Sequence, residues 1–204
     1  MIAIVKYGLG NVDAIANIYD RLDVAASLAS TADDIRAADR IILPGVGSFD
    51  HAMERLDQSG MRDALDEAVL RARKPVLGIC VGMQMMAARS EEGIRPGLGW
   101  IDGEVRRFDF SGLTEKPRLP HMGWNDVTPG ADEGLFNGLH SDARFYFLHS
   151  YYFDALASAE VLAVTDYYGG FACSVGRGNI FGVQFHPEKS HGWGIRLLQN
   201  FAEM

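Results

Sequence analysis

Cysteine is scarce in this chain. Cys80 and Cys173 are the only two among 204 residues, and they lie far apart. That excludes a disulfide framework and a C-x-x-C metal or redox site, and it fits a reducing, cytoplasmic setting. Long apolar runs are also missing: none approaches the ~20 residues of a membrane span, so no membrane partner is expected. Positive charge is in deficit, with 19 Lys and Arg against 27 Asp and Glu and a net charge of -8. General affinity for nucleic acid is therefore not expected. Met1–Val5 lacks a charged leader and a cleavage site, and it is read as a first strand, not a signal peptide. No repeat, low-complexity tract or linker interrupts the chain. At 48% hydrophobic residues it can bury a sizeable core, and one domain over residues 1–204 is expected.

What is present is an alternation of strand and helix. Ile2–Val5, Val24–Leu28, Arg40–Leu43 and Pro75–Leu77 read as buried strands. Between them lie helical stripes, such as Val12, Ile15, Tyr19 and Leu22, or Phe49, Met53 and Leu56. Asn11 and Thr31 stand where helix caps belong. After Arg89 the pattern changes to glycine-rich stretches and short β-like pieces, including a hairpin turned by Gly176–Asn179. The fold class expected is α/β: an open, mixed, largely parallel sheet with flanking helices and an antiparallel second-half sheet. Gly8 and Gly10 follow the first strand, but Asp13 stands where a third glycine of a dinucleotide fingerprint is needed, so no cofactor is expected.

Gly78-Ile79-Cys80-Val81-Gly82 follows a buried strand and opens into a helical run, Met83–Arg89. The physics resembles the nucleophile elbow of hydrolases, with Cys in place of Ser. Amides at the start of a helix favour a thiolate and can meet an oxyanion. A small buried thiol beside loop glycines accounts for the same residues, and this stretch alone leaves both readings open. Pro44–Ser48 ends another strand with Gly45 and Gly47, where open α/β sheets bind ligands. Near the end, Phe185-His186-Pro187-Glu188 bars a helix through Pro187. In extended chain His186 and Glu188 project to one side and can supply a base with its orienting carboxylate. A metal site from His186, Glu188 and His191 is disfavoured by that spacing, and no metal is expected.

Taken together and in this order, Gly78–Gln84 and Phe185–Glu188 resemble the class I, triad-type glutamine amidotransferases. Tyr7–Asn11, Leu43–Gly47, Ser90–Gly93, Pro120–Asn125, Tyr146–Tyr151 and Gly182–Ser190 narrow the resemblance to the glutaminase subunits of imidazole glycerol phosphate synthase. It covers nearly the whole chain. It implies Cys80 as nucleophile on L-glutamine, His186 as base and Glu188 as orienting carboxylate. It implies oxyanion donors at Val81 and in the loop of Val46 and Gly47. Gln84, Glu92, His149, Ser150 and Tyr151 become candidates for holding glutamine. The family docks on a (β/α)8 cyclase as a heterodimer and passes ammonia to it; Asn11, Pro120, Met122, Trp124, Asn125 and Lys189 would form the docking surface. One departure is Lys6, where the family usually carries Asp.

Two other readings compete. A sister glutaminase could feed amidino- or amino-sugar synthesis for surface polysaccharide; Arg95–Trp100 and Ser190–Gly194 resemble that branch at least as well. A stand-alone cysteine hydrolase would use a similar elbow without a partner.

Overall fold

The computed structural model describes residues 1–114, 117–131, 134–139 and 142–204. The first half runs β1 (Ile2–Val5), α1 (Val12–Arg21), β2 (Ala26–Ala29), α2 (Ala32–Ala37), β3 (Arg40–Gly45), α3 (Phe49–Ser59) and α4 (Arg62–Asp66). A π-helical turn over Glu67–Arg71 leads to β4 (Val76–Cys80) and α5 (Val81–Gln84). The second half runs β5 (Arg89–Ser90), β6 (Gly103–Arg107), β7 (His121–Asp126), β8 (Thr128–Pro129), β9 (Arg144–His149) and β10 (Tyr151–Ala155). It closes with β11 (Val161–Asp166), β12 (Gly170–Arg177), β13 (Ile180–Val183) and α6 (His191–Glu203).

The main sheet has the order β2-β1-β3-β4-β13-β12-β11-β8. Its first five strands in that order are parallel. The other three are antiparallel, with β12–β13 forming the expected hairpin. Every residue of β1 and β4 is buried, as strands covered on both faces require. The remaining strands form two small sheets, β10-β6-β5 and the antiparallel pair β7-β9. β5, β7 before Asp126 and β10 fall outside the short β-like pieces read from the sequence.

Thr31 caps α2 through a full capping box with Asp34. Asn11 occupies the cap position of α1 but makes no side-chain cap bond there. The helical run expected over Met83–Arg89 is also shorter than its pattern. The α-helix ends at Gln84, because carbonyls beyond it are claimed by another loop. Leu98 N–H donates to Met85 O at 2.7 Å, Trp100 N–H to Met86 O at 2.9 Å and Gly97 N–H to Ala88 O at 2.9 Å. The segment Met83, Met85, Met86 and Ala87 is fully buried, so it needs those partners to satisfy its backbone.

The order of the main sheet positions the site. β4 lies between β3 and β13, all three parallel, with Gly45 beside Cys80 and Val183 beside Ile79. Three chain segments therefore leave the same sheet edge side by side: the loop after Gly45, the turn after Cys80, and the Gln184–Glu188 segment.

Candidate active site

Cys80 closes β4 with φ 56° and ψ -113°, a backbone conformation that L-residues rarely adopt. Strain of this kind is typically worth about 1–3 kcal/mol and has to be held by its surroundings. Three glycines let the surroundings close in. A Cβ at Gly78 would lie 2.7 Å from Gly82 O, and one at Gly45 would lie 2.5 Å from Gly82 N. A Cβ at Gly82 would overlap the Leu43 carbonyl. The turn after Cys80 is thus pressed directly onto β3 and β4 backbone. Cys80 is nearly buried and lies on the wall of a cavity of ≈ 330 Å³.

His186 lines the same cavity as Cys80, whose sulfur has the Leu148 carbonyl at 3.9 Å. Its Nδ1 is 2.8 Å from Glu188 Oε1, which leaves Nε2 as the nitrogen for sulfur. Burial works against charge on this imidazole. The hydrogen bonds and negative charges of Cys80 and Glu188 outweigh it and push the His186 pKa up to about 10. Burial likewise opposes the Glu188 carboxylate, but hydrogen bonds and charge from His186, with a further bond from Asn11, bring its pKa below the ordinary value. Asn11 Nδ2 donates to Glu188 Oε1 at 2.7 Å, which is where its side chain goes in place of capping α1. Backbone bonds hold the segment: His186 N–H donates to Tyr146 O at 2.8 Å, and Ser190 Oγ to His186 O at 2.6 Å. Phe185 stacks on Phe145 with ring centres 4.0 Å apart.

The cavity collects most residues singled out in the sequence. Val46, Gly47, Val81, Gln84, Glu92, Pro120, His149, Ser150, Tyr151, Asn11 and Lys189 all line it with Cys80 and His186. Gly47 takes φ 88°, a conformation open to glycine, and no atom stands within 4 Å of a Cβ there. Glu92 accepts from Phe49 N–H at 2.8 Å and so ties down the far end of that loop. Burial raises the Glu92 pKa, against the lowering effect of this bond. The two hydrogens of Gln84 Nε2 go to Tyr151 O at 3.1 Å and Gln184 Oε1 at 3.0 Å, so its own Oε1 is what remains for a ligand.

His149 has both ring nitrogens engaged. Nδ1 donates to Tyr151 O at 2.7 Å, and Nε2 lies 3.0 Å from His121 Nδ1. Because a carbonyl only accepts, the tautomers follow: His121 Nδ1–H donates to His149, and Asn125 Nδ2 donates to His121 Nε2 at 3.2 Å. Burial lowers the pKa of His149 to about 3 and of His121 to about 4, so both stay neutral in the folded chain.

Met122, Trp124 and Asn125 stand apart from the cavity, on β7. Met122 is 65% exposed and Trp124 41%, and Met122 pairs across the strands with Leu148, itself exposed on its outer face. Trp124 stacks flat on His191 at 5.3 Å and 5°. Lys189 lies 5.7 Å from the Tyr146 ring centre. An exposed Met-Trp-Leu surface thus borders the rim of the cavity at Pro120 and Leu148. Among the described residues no cluster of His, Cys, Asp or Glu could hold a metal ion, and no helix is long and apolar enough to cross a membrane.

A thiol, an imidazole and a carboxylate in series, beside a strand end and loop carrying Gly45 and Gly47, is a cysteine-nucleophile arrangement for acyl transfer. The family profile "Glutamine amidotransferase class-I" matches residues 10–204. The chain belongs to the class-I glutamine amidotransferases. Within that family, a Bdellovibrio bacteriovorus protein named "Imidazole glycerol phosphate synthase subunit HisH" is 56% identical over 100% of both chains. A Leptospira interrogans protein of the same name is 48% identical, again over 100% of both. A solved structure described as "Crystal structure of glutamine amidotransferase" shares the fold at TM-score 0.75, with 20% identity and 100% of each chain covered.

Two residues beside Cys80 were not singled out in the sequence: Gln184 and Leu148. Leu148 lines the cavity and Gln184 is completely buried beside Cys80. Gln184 stands two residues before His186, but the chain bends at Gln184 and Phe185, so no spacing in the sequence signals that its side chain meets Cys80.

Proposed function

We propose that this chain is the glutaminase subunit of an imidazole glycerol phosphate synthase, acting in histidine biosynthesis in the cytoplasm. The single observation that carries the reading is Cys80 on one cavity with His186, itself paired to Glu188, in a chain with full-length relatives named as that subunit. The Cys80 proton rests on His186 Nε2, whose raised pKa favours the charged imidazole, and Cys80 Sγ attacks the side-chain amide carbon of L-glutamine. The oxyanion meets the N–H of Val81 and an amide of the Val46–Gly47 loop. The C–N bond breaks as His186 returns the proton to the leaving nitrogen, and ammonia departs. Water then attacks the glutamyl thioester and releases glutamate and the free thiol. Glu188 fixes the tautomer of His186 and stabilises its cation. Gln84, Glu92, Ser150 and Tyr151 hold glutamine, and His149 shapes the wall.

The partner is a (β/α)8 cyclase subunit docked on the Pro120–Asn125 face with Asn11 and Lys189 at its edge. Met122 and Trp124 supply an apolar, aromatic centre of the kind that dominates interface energetics. Ammonia passes from the Cys80 cavity into that subunit, where imidazole glycerol phosphate and AICAR are made. The test is a glutaminase assay with and without the cyclase and its nucleotide substrate, on wild type and Cys80→Ala. Weak activity alone, strong stimulation by the partner and none in Cys80→Ala is the expected result. Full hydrolysis by Cys80→Ala would overturn the catalytic assignment, and high activity without a partner would favour a stand-alone hydrolase. Failure to complement a histidine auxotroph, despite stable expression with its own cyclase, would move the chain to the sugar-amidating branch.

A further inference from the structure

Gln184 is fully buried, yet nothing in the reaction as written uses it. Its side chain lies between Gln84 and Cys80: Oε1 accepts from Gln84 Nε2 at 3.0 Å, and Nε2 lies 3.7 Å from Cys80 Sγ. The direction of this chain of bonds is decided at its far end. Tyr151 O is a carbonyl and only accepts, so the amide nitrogen of Gln84 must face it, as it does at 3.1 Å. The second hydrogen on that nitrogen meets Gln184, so the oxygen of Gln184 faces Gln84. Its NH2 group must then face sulfur. His149 Nδ1–H donates to the same Tyr151 carbonyl at 2.7 Å and occupies its other lone pair. Gln84 is itself 2% exposed, so no solvent exchange relaxes the order.

We propose that Gln184 is a catalytic residue: its side-chain N–H donates to Cys80 Sγ and holds the sulfur as an acceptor, with Gln84 positioning it. This deepens the glutaminase reading and rests on it. A sulfur that receives a hydrogen bond from Gln184 directs its own proton away from that side, toward the Leu148 carbonyl at 3.9 Å and the His186 imidazole on the same cavity. The donor stabilises negative charge on sulfur before attack, and it stays with the thiolate each time the thioester is hydrolysed. It also assigns Gln84 a role besides binding glutamine: through Nε2 it sets which end of Gln184 the sulfur meets.

The test is the rate at which iodoacetamide alkylates Cys80 in the full chain at neutral pH, without glutamine or partner, read as mass added to the Cys80 peptide. Cys173 is wholly buried, and its thiol pKa is raised by that burial, so it does not compete. Gln184→Leu should slow alkylation about tenfold, the effect of losing one hydrogen bond to a charged group. Gln184→Glu keeps the shape, turns an oxygen toward sulfur and should slow it further. In the partner-stimulated glutaminase assay both should lower kcat with little change in KM. A purely structural Gln184 predicts instead a fall in thermal stability with alkylation at the wild-type rate, and that result would overturn the proposal. Gln84→Leu leaves Gln184 in place but unoriented, and serves if the Gln184 variants do not fold. A wild-type alkylation rate there would overturn the proposal equally. Cys80→Ala run alongside separates the two levels: if it retains glutaminase activity the functional reading fails, whereas an inactive Cys80→Ala with a normal Gln184→Leu removes only the role of Gln184.

Discussion

Asn11 and Glu188 meet across 2.7 Å although 177 positions separate them in the chain. The amide of Asn11 reaches Glu188 Oε1, the same oxygen that faces His186. One carboxylate oxygen is therefore held from two sides. Asn11→Ala should lower kcat for glutamine about tenfold with KM nearly unchanged, because it frees the group that orients the base. Asn11→Asp should do worse, since it puts a second carboxylate against Glu188. Steady-state kinetics in the presence of the cyclase checks this; a change confined to KM would contradict it.

The three glycines around the turn have no space for a methyl group. Gly82→Ala would drive a Cβ into the Leu43 carbonyl, and Gly45→Ala would crowd Gly82 N, both backbone atoms that cannot turn aside. Each substitution should destabilise the fold by about 3 kcal/mol or more. Gly47→Ala faces open space but has φ 88°, so it should cost only about 1 kcal/mol while stiffening the loop after β3. Urea unfolding midpoints rank Gly82→Ala, Gly45→Ala and Gly47→Ala; equal losses would refute the packing account.

Acid should weaken the fold before the carboxylates titrate. His149 and His121 are held neutral in the folded chain, with pKa values lowered by burial from 6.5 to about 3 and about 4. Below pH 6.5 the unfolded chain takes up protons on these two rings and the folded chain does not, so stability falls as pH falls from 6.5 toward 4. The melting temperature should drop by roughly 5 °C between pH 7 and pH 5. His186 has the opposite sign: its raised pKa contributes below 6.5 and is lost as pH rises through about 10. Thermal melts over that range decide it. A melting temperature flat from pH 7 to pH 5 would mean that the two rings are charged in the folded state.

The face of β7 should matter for docking and not for folding. Met122 and Trp124 are exposed, and Met122 stands opposite Leu148 across the strand pair. Trp124→Ala should weaken binding of the cyclase about 10- to 100-fold, and Met122→Lys by a similar factor, with unchanged unfolding midpoints. Titration calorimetry against the purified cyclase measures the first, and urea unfolding the second. Wild-type affinity in both variants would place the interface elsewhere.

Some of this site was legible in one dimension. A buried run ending in Gly-Ile-Cys-Val-Gly announces a nucleophile on a turn, because the strand pattern and the steric demand of the turn are local. His186 and Glu188 were visible as a pair two residues apart, but the extended backbone expected through Glu188 gives way to a 3-10 turn over Pro187–Lys189. Pro187, read as barring a helix, opens that turn as its first residue, and the turn rather than strand alternation brings Glu188 to His186. The helix expected through Arg89 was not so reliable. Its pattern is apolar enough, but the loop of Gly97–Ile101 takes the carbonyls that a longer helix would have used. Asn11 shows the same limit: it stands at a helix start, as residues of its type do, yet its side chain serves Glu188.

By itself the sequence determined the strand–helix alternation, the strained turn at Cys80, the residues available to act as base and orienting acid, and the family. These follow from propensities and spacings that operate over a few residues. Only the tertiary structure decided which of them meet. It set β4 between β3 and β13, so that Gly47, Cys80 and His186 leave one sheet edge together. It also pointed the amide of Gln184 at sulfur, and the side chain of Asn11 away from its helix. The reason is physical: a hydrogen bond between distant residues depends on strand order and register. Those are settled by the burial of the whole core, not by any stretch of the chain.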